Sequence, residues 1–467
     1  MFPPVASRVE TGGEKMKKLI SLILAAALCG CAGCGPNEED KEVYNTAENL
    51  MDYDAKRQTE VAEVLAWRAP APTDEQYTLM KECGVTTVLM DRTTGVMGDD
   101  VHKAHFDAAE RNGLQIIGFP GYLGNFEQPG GDYKHYNSMA GILYADEPSV
   151  DQFQQIREQI PWFEANYPDK IFYTNLHPSS GLYATGIEPG QTYVDYIDRY
   201  CSEVLSQVSA PESRWLSADV YPLHVKSGRY MLDQTWLYDL AVIATKGAEY
   251  DCHTAMCIQA GSFESETNKL HSKVPDEHDI RLQVMTSLAF GIRSIALWTY
   301  APSYVDFWAT TALIDGAGKP TEVYESVQTV IGELHAADHI YRSFEWQGVY
   351  PLRVDRSRDK EAFAALNTVK NALVTPEEYM NEFTAIESDN NAVVGYFTDN
   401  NANEAVLAVN FGETTENIAA TIKFSFKKSD RALVIRKGEV STVTVADKAL
   451  EVKLEPGEGI FVLPYKA

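Results

Sequence analysis

Residues 141–176 read GILYADEPSVDQFQQIREQIPWFEANYPDKIFYTNL and are the most informative part of the chain. Two apolar runs, 141–146 and 171–176, have the length and composition of buried strands. The segment 149–167 between them follows Pro148, a residue that favours helix starts, and is long enough to form a helix. A strand, a helix and a second strand in this order predict a unit with two parallel strands.

The same alternation of apolar runs and helical stretches extends from residue 60 to about residue 345. Helix signals punctuate it, such as Thr73 before a first turn and Gly84 at the end of the same segment. The predicted strands are 64–70, 85–91, 114–120, 141–146, 171–176, 215–221, 254–259 and 294–300. Eight strands with intervening helices fit a closed barrel better than an open sheet, and no glycine-rich dinucleotide-binding turn follows the first strand. We therefore predict an α/β fold, a (β/α)8 TIM barrel over residues 61–345.

Past residue 345 the helical period disappears and short alternating runs replace it. The predicted strands of this region are 392–397, 405–411, 418–424, 432–435, 440–445 and 460–464. Turn residues such as Pro456-Gly457 separate them. This pattern predicts a small antiparallel β-sandwich over residues 346–467, which we interpret as a packing domain, with sugar binding as the alternative.

The N-terminus carries the signals of export. Met16-Lys17-Lys18 starts a short basic region, and the apolar stretch 19–28 has the length of a signal-peptide core. Leu28-Cys29-Gly30-Cys31 resembles the lipobox of bacterial lipoproteins, in which the last cysteine is acylated. These stretches predict a signal peptide over residues 1–31 that truly starts at Met16, and the lipobox resemblance implies a lipid on Cys31. The polar composition that follows predicts a tether over 32–60. The protein would then be secreted and lipid-anchored at the bacterial cell envelope. An ordinary secretory signal is the alternative.

The net charge and the cysteine content limit the classes of partner and of metal site that the protein can have. The formal net charge of −27 argues against nucleic acid and anionic surfaces, because a polyanion binder needs a basic footprint. We expect membrane contact only through the lipid. The remaining cysteines match neither a zinc motif nor a dense disulfide scaffold, and they are Cys83, Cys201, Cys252 and Cys257. The sequence predicts no cofactor and no metal.

Polar and aromatic residues gather where the predicted strands end, which is where TIM barrels place their sites. The candidates are Asp91, Arg92, Asp146, Glu147, Asn175, His177, Asp219, Tyr221, Gln259, Trp298 and Tyr300. Strand alternation puts Asp219 and Tyr221 on the inner face of the sixth strand. In a regular fourth strand Asp146 and Glu147 point opposite ways, and we favour Glu147 as the one that faces the mouth. Helix capping is the alternative for all three acidic residues, and His177 reads more readily as a loop residue than as a base.

Alternation also places Trp298 and Tyr300 on one face of the eighth strand, above the small residues Ser294 and Ala296. We predict that the two aromatic rings form a sugar platform at the mouth, since apolar sugar faces stack on such rings. Packing against the C-terminal domain is the alternative.

Three segments resemble barrel glycoside hydrolases of bacterial surface lipoproteins, distantly like the β-galactosidase and cellulase superfamily. They are 141–148 (GILYADEP), 296–300 (ALWTY) and 312–321 (ALIDGAGKPT) leading to Tyr324, and the resemblance covers residues 60 to 345. Residues 454–459 (LEPGEG) also resemble the end of the sandwich appended to such enzymes.

The resemblance implies catalytic glutamates at the ends of the fourth and seventh strands. Glu147 matches the first, but Gln259 stands at the second place, and an amide cannot form the glycosyl ester. Other barrel glycosidases carry the two carboxylates on strands four and six, which would pair Asp146 or Glu147 with Asp219. Glu264 and Glu266, in the loop after the seventh strand, are further candidates.

The sequence thus predicts a glycosidase that acts on a poly- or oligosaccharide. In this prediction Glu147 is the general acid, Asp219 is the second carboxylate, and Asp146 holds a neighbouring loop. The residues predicted to position the sugar are Trp298, Tyr300, Asn175 and Gln259. The alternative is a glycan-binding lipoprotein that kept the barrel and lost the reaction, as Gln259 suggests. A metal-dependent hydrolase is disfavoured because the first strand reads Ala66-Trp67-Arg68 where paired metal ligands would be needed.

Overall fold

The computed structural model describes residues 45–57, 59, 61–90, 99–118, 133–226, 229–265, 270–302, 309–354 and 360–467. The strands of the first part of the chain are β1 (Val64–Trp67), β2 (Thr87–Leu89), β3 (Gln115–Gly118), β4 (Met139–Asp146), β5 (Ile171–Leu176), β6 (Trp215–Asp219), β7 (Leu223–Lys226), β8 (Arg229–Leu232), β9 (His253–Gln259), β10 (Ser262–Ser265), β11 (Leu270–Ser272), β12 (Ser294–Trp298) and β13 (Ala309–Thr311).

Eight of these strands form a closed parallel barrel in the order β1-β2-β3-β4-β5-β6-β9-β12. The barrel closes where β12 pairs with β1, with Ile295 beside Val64. The predicted TIM-barrel fold is confirmed, and each predicted strand overlaps one strand of the barrel. We refer to β9 and β12 as the seventh and eighth barrel strands.

Helices cover the outside of the barrel. They are α1 (Asp74–Glu82), α2 (Asp99–Asn112), α3 (Phe153–Arg157), α4 (Ile160–Asn166), α5 (Tyr193–Glu203), α6 (Trp236–Tyr250), α7 (Glu277–Ala289) and α8 (Glu322–Tyr341). The predicted signals mark α1, since the Thr73 hydroxyl accepts from the Gln76 amide at 3.3 Å and Gly84 has φ +87° beyond its end.

Side-chain alternation divides the barrel into two layers. On β6, Trp215 packs inside the barrel, whereas Leu216 and Ala218 pack against the helices outside. The interior cluster is Leu65, Trp67, Leu89, Ile117, Leu143, Tyr173, Trp215, Ala255, Cys257 and Ala296. This filled interior leaves the C-terminal mouth as the place where polar side chains meet.

Three of the loops at this mouth join into a second sheet that the sequence did not predict. Its five antiparallel strands run in the order β13-β10-β11-β7-β8 and come from the segments after the sixth, seventh and eighth barrel strands. We call it the mouth sheet. It forms a wall on one side of the barrel opening.

The C-terminal region is a β-sandwich, as predicted. Its strands are β14 (Phe344–Leu352), β15 (Phe383–Ser388), β16 (Ala392–Asp399), β17 (Glu404–Asn410), β18 (Ala420–Phe426), β19 (Arg431–Arg436), β20 (Glu439–Thr444), β21 (Ala449–Leu454) and β22 (Gly459–Tyr465). A six-stranded sheet, β14-β16-β17-β22-β19-β20, faces a three-stranded sheet, β15-β18-β21, across a shared apolar core. The short helices α9 (Lys360–Leu366) and α10 (Pro376–Tyr379) lie between β14 and β15.

The outer face of the six-stranded sheet packs on α7 of the barrel. Trp346 Nε1 donates to the Ala289 carbonyl at 3.1 Å. Gly395 lies so close that a Cβ atom there would be 2.1 Å from the same oxygen, so only glycine fits. Residues 44–467 form one compact unit, and the domain boundary at residue 345 stays a prediction.

Part of the predicted tether is in fact docked on the sandwich. Asn45 is buried, and its Nδ2 donates to the carbonyls of Glu404 at 2.8 Å and Pro464 at 2.6 Å. The Tyr53 hydroxyl donates to Asp399 Oδ2 at 2.7 Å. The tether prediction is therefore wrong for residues 45–57, because side chains that look merely polar in sequence satisfy buried groups of the sandwich. None of the helices in the described part of the chain is long and apolar enough to cross a membrane.

Candidate active site

An irregularity in β4 decides which acidic side chain faces the mouth. The register between β4 and β5 shifts between Leu143 and Ala145. Leu143 packs inside the barrel, but both Tyr144 and Ala145 pack outside, so the alternation restarts with Asp146 facing inward. Asn175 Nδ2 donates to Asp146 Oδ1 at 3.1 Å. The expectation that Asp146 points away from the mouth is therefore wrong, since it assumed a regular strand.

Glu147 reaches the same opening by a different route. It follows the end of β4 with φ +50°, a left-handed conformation, and its amide donates to the Asn175 carbonyl at 2.8 Å. Its Oε1 lies 3.3 Å from His177 Nδ1, and 43% of its side chain is exposed. Pro148, which follows Glu147, is held in place because its carbonyl accepts a hydrogen bond from the Tyr196 hydroxyl at 2.7 Å. His177 is thus a loop residue that contacts the candidate carboxylate.

Asp219, on the inner face of β6, is the most enclosed of the three carboxyl groups. The residue is 6% exposed, and its Oδ1 accepts no hydrogen bond from the described residues. Burial raises the pKa of Asp219 well above its usual value, and the negative charges of Glu147 and Asp146 raise this pKa further. Asp219 therefore keeps its proton to a higher pH than an ordinary aspartate, and the three carboxyl groups act on one another at the mouth.

A chain of hydrogen bonds inside the barrel orients Asn175. The Tyr173 and Ser217 hydroxyls are 2.8 Å apart, and Ser217 Oγ donates to Asn175 Oδ1 at 3.2 Å. Because the oxygen of the Asn175 amide is engaged there, its nitrogen is directed at Asp146. Neither Tyr173 nor Ser217 was predicted as a site residue, although alternation along β6 places Ser217 on the same inner face as Asp219.

Aromatic rings wall the mouth beside these groups. The half-buried Trp298, at the end of β12, has its ring 6.0 Å from Trp67 and 6.2 Å from Tyr221 between centroids. The Arg68 guanidinium carbon lies 4.4 Å over the Trp298 ring. Phe263, from the mouth sheet, packs edge-on against Tyr221 at 5.6 Å. Trp67, Arg68 and Phe263 were missed as site residues because none of them ends a predicted strand.

Tyr300 does not share this wall. It is fully buried among residues outside the barrel, where Cys83 and Tyr324 are close enough to affect its ionisation. Because β12 ends at Trp298, strand alternation no longer fixes the direction of the residues beyond it. The prediction that Tyr300 forms a sugar platform is therefore wrong.

The side chain of Gln259, the last residue of β9, supports the mouth sheet. It is fully buried, and its Nε2 donates to the carbonyls of Gly261 at 3.2 Å and Lys273 at 2.7 Å. Its Oε1 accepts from the Leu223 amide at 3.1 Å. Since both ends of the amide are engaged by backbone groups, the predicted contact of Gln259 with a sugar is corrected to the anchoring of two loops.

Several predicted residues lie outside the described part of the chain. They are Cys31, Asp91, Arg92 and Glu266, together with the side chain of Glu264. Within the described ranges no group of three or more histidine, cysteine, aspartate or glutamate side chains could hold a metal ion.

No protein-family model matches this chain. No curated protein matches it either. Among solved structures, the chain is similar to a β-L-arabinopyranosidase from Geobacillus stearothermophilus with 11% identity and a TM-score of 0.44, over 89% of this chain and 99% of that one. It is similar to an α-L-arabinofuranosidase from Thermotoga maritima with 8% identity and a TM-score of 0.43, over 86% and 96%. A GH30 endoxylanase from Clostridium papyrosolvens gives 12% identity and a TM-score of 0.36, over 87% and 97%.

Proposed function

We propose that this protein hydrolyses glycosidic bonds at the C-terminal mouth of its barrel. The observation that carries the proposal is the meeting of Asp146, Glu147 and Asp219 at a mouth that the rings of Tyr221 and Trp298 also line. Glycoside hydrolysis needs a protonated carboxyl group for the leaving oxygen and an ionised carboxylate on the other side of the bond. An aromatic wall next to such a pair suits the apolar face of a sugar ring.

Burial favours a division of roles opposite to the one predicted from the sequence. Asp219 is the enclosed group whose pKa is raised, so it is the better proton donor to the glycosidic oxygen. The Glu147 side chain is 43% exposed and contacts His177, so it is the group that can approach the anomeric carbon or the attacking water. In this scheme Glu147 either attacks the anomeric carbon or takes a proton from the attacking water. The product gains the elements of water, and Asp219 recovers its proton. The anomer released first distinguishes the two routes.

Replacement of the two carboxyl groups tests the proposal. Asp219→Asn and Glu147→Gln keep the shape of each side chain and remove its proton chemistry, so each should lower turnover of a cleaved glycan at least about a hundredfold. Reducing-end assays measure the rate, and circular dichroism checks the fold. Asp169→Asn, an exposed carboxylate before β5, is the matched control. Unchanged turnover in both variants would reject the assignment.

A glycan-binding protein without hydrolysis is the second candidate, favoured by the engaged amide of Gln259 at the end of the seventh barrel strand. Calorimetry separates the two functions. An oligosaccharide that binds the wild-type protein and is recovered intact after long incubation supports binding alone.

A further inference from the structure

The loop after the fifth barrel strand carries an aromatic ring into solvent beside the candidate carboxyl groups. This segment, the 177–185 loop, contains a 3-10 helix over Ser179–Ala184. Tyr183 is 92% exposed, whereas the other exposed large apolar side chains of the described residues reach 49% at most. At the other end of the loop, His177 contacts Glu147. The exposed ring and the reaction centre are therefore joined by a short piece of chain.

Buried hydrogen bonds hold this loop in place. Asp239 of α6 is fully buried, and its Oδ2 accepts from the Ser179 amide at 3.1 Å. The Thr185 hydroxyl donates to the Leu182 carbonyl at 2.7 Å, and the Val150 amide donates to the Thr185 carbonyl at 2.8 Å. The loop is thus tied to a helix on one side and to the segment after Glu147 on the other. The backbone that carries Tyr183 therefore needs little ordering when a ligand stacks on its ring.

The order of strands in the barrel gives the direction of a bound chain. The fourth strand, which carries Glu147, stands opposite the eighth, which carries Trp298, and the fifth stands opposite the first. A carbohydrate chain that stacks on Trp298 and passes the carboxyl groups would leave the mouth on the side of the 177–185 loop. The 177–185 loop, with Tyr183, follows the fifth strand, which neighbours the fourth, and so belongs to that side.

We propose that Tyr183 forms a distal subsite that stacks on a sugar ring of the same carbohydrate chain, so the substrate is a polysaccharide or an oligosaccharide of several units. The inference rests on the proposed function, because it needs the chain to cross the mouth. Aromatic rings bind apolar sugar faces without a charged partner, which suits a protein with a strongly negative net charge.

Tyr183→Ala in the full chain tests the subsite against substrates of different length. The probes are hexasaccharides and disaccharides prepared from xylan, arabinan, galactan and cellulose. On a hexasaccharide that the wild-type protein cleaves, the variant should lose about tenfold in kcat/KM, with less than about a twofold change on the matching disaccharide. If the wild type binds without cleaving, calorimetry replaces the rate assay. The variant should then raise Kd about tenfold for the hexasaccharide and less than about twofold for the disaccharide. Tyr183→Trp should retain wild-type values.

The control is Tyr379→Ala, which removes a tyrosine that is 44% exposed on α10 of the sandwich and should change neither value. Equal losses on long and short substrates, or no loss on the long one, would overturn the subsite and leave the proposed function standing. Failure of the wild-type protein to bind or cleave any of the probes would overturn both.

Discussion

The direction of a single side chain, Asp146, depends on one irregularity in β4. Without the register shift, Asp146 would lie among the helices outside the barrel, where an unpaired carboxylate is costly. With it, Asp146 bonds to Asn175 and adds a negative charge near Asp219. Asp146 and Glu147 are both exposed at the mouth, and Asp146 differs from Glu147 in its hydrogen bond to Asn175.

Asp146→Asn should shift the alkaline limb of the pH–activity profile to lower pH. If Asp219 is the proton donor, activity is present below its pKa and is lost as the pH rises through that value. The Asp146 charge raises the pKa of Asp219, so its removal lowers this pKa and moves the limb to lower pH. Profiles of kcat/KM for the variant and for the control Asp169→Asn measure the shift. A limb that stays in place, or moves to higher pH, would contradict the role given to Asp219.

Helix α6 supports the 177–185 loop through an ionisable side chain, because Asp239 accepts a hydrogen bond from the Ser179 amide. Burial raises the pKa of Asp239 to about 8. Because the folded-state pKa lies above the unfolded one, the protein keeps the full stability of the neutral carboxyl below about pH 4. It loses this stability as the pH rises toward 8.

Asp239→Asn should remove that loss. The amide still offers an oxygen to the Ser179 amide but does not ionise, so the variant should match the wild type near pH 4 and exceed it near pH 8. Each pH unit of the window corresponds to about 1.4 kcal/mol, which sets a difference of a few kcal/mol in the free energy of unfolding. Urea unfolding at the two pH values measures it. Asp239→Ala, which leaves the Ser179 amide unpaired, should be less stable at both, and equal pH dependence in all three proteins would contradict the argument.

The elements that the sequence predicted share one property. Barrel strands buried on both faces appear as continuous apolar runs, which composition alone reveals. By contrast, β14 was not predicted. It contains the polar residues Glu345 and Gln347 and a register shift before Gly348, so the alternation of apolar and polar residues is broken. The short strand β15 is interrupted in the same way between Phe383 and Ala385.

Irregular backbone also limited the prediction of the site residues. Strand alternation correctly placed Asp219, because β6 is regular up to that residue, and Tyr221, two residues past the strand, keeps the same face. It misplaced Asp146, which follows a bulge, and Tyr300, which lies past the end of its strand. The role of Gln259 depends on loops that pair only in three dimensions, so no local pattern in the sequence could reveal it.

The whole molecule combines a barrel, a sandwich packed on α7 and an N-terminal segment docked on that sandwich. The described chain starts at Asn45, so lipid attachment at Cys31 and location at the cell envelope stay predictions. We propose that Cys31 carries the anchor, since the preceding residues resemble a lipobox.

Expression of the full chain in a bacterium fed an alkyne-labelled fatty acid tests the anchor. The wild-type protein should be labelled and sediment with membranes, whereas Cys31→Ser should lose the label because it lacks the acylated thiol. Cys29→Ser should keep the label, since this residue precedes the proposed cleavage point. Labelling of Cys31→Ser at the wild-type level would place the anchor on another residue, and absence of label from the wild-type protein would reject a lipid anchor.

The mouth sheet has a consequence for how this barrel can change over evolutionary time. TIM barrels usually diversify because each β/α loop varies by itself. Here three of those loops share backbone hydrogen bonds and the Gln259 amide, so an insertion in one disturbs the register of the others. Substitutions in these segments should therefore be strongly interdependent, and a change in one of them alone should be harder to accommodate than matched changes in two.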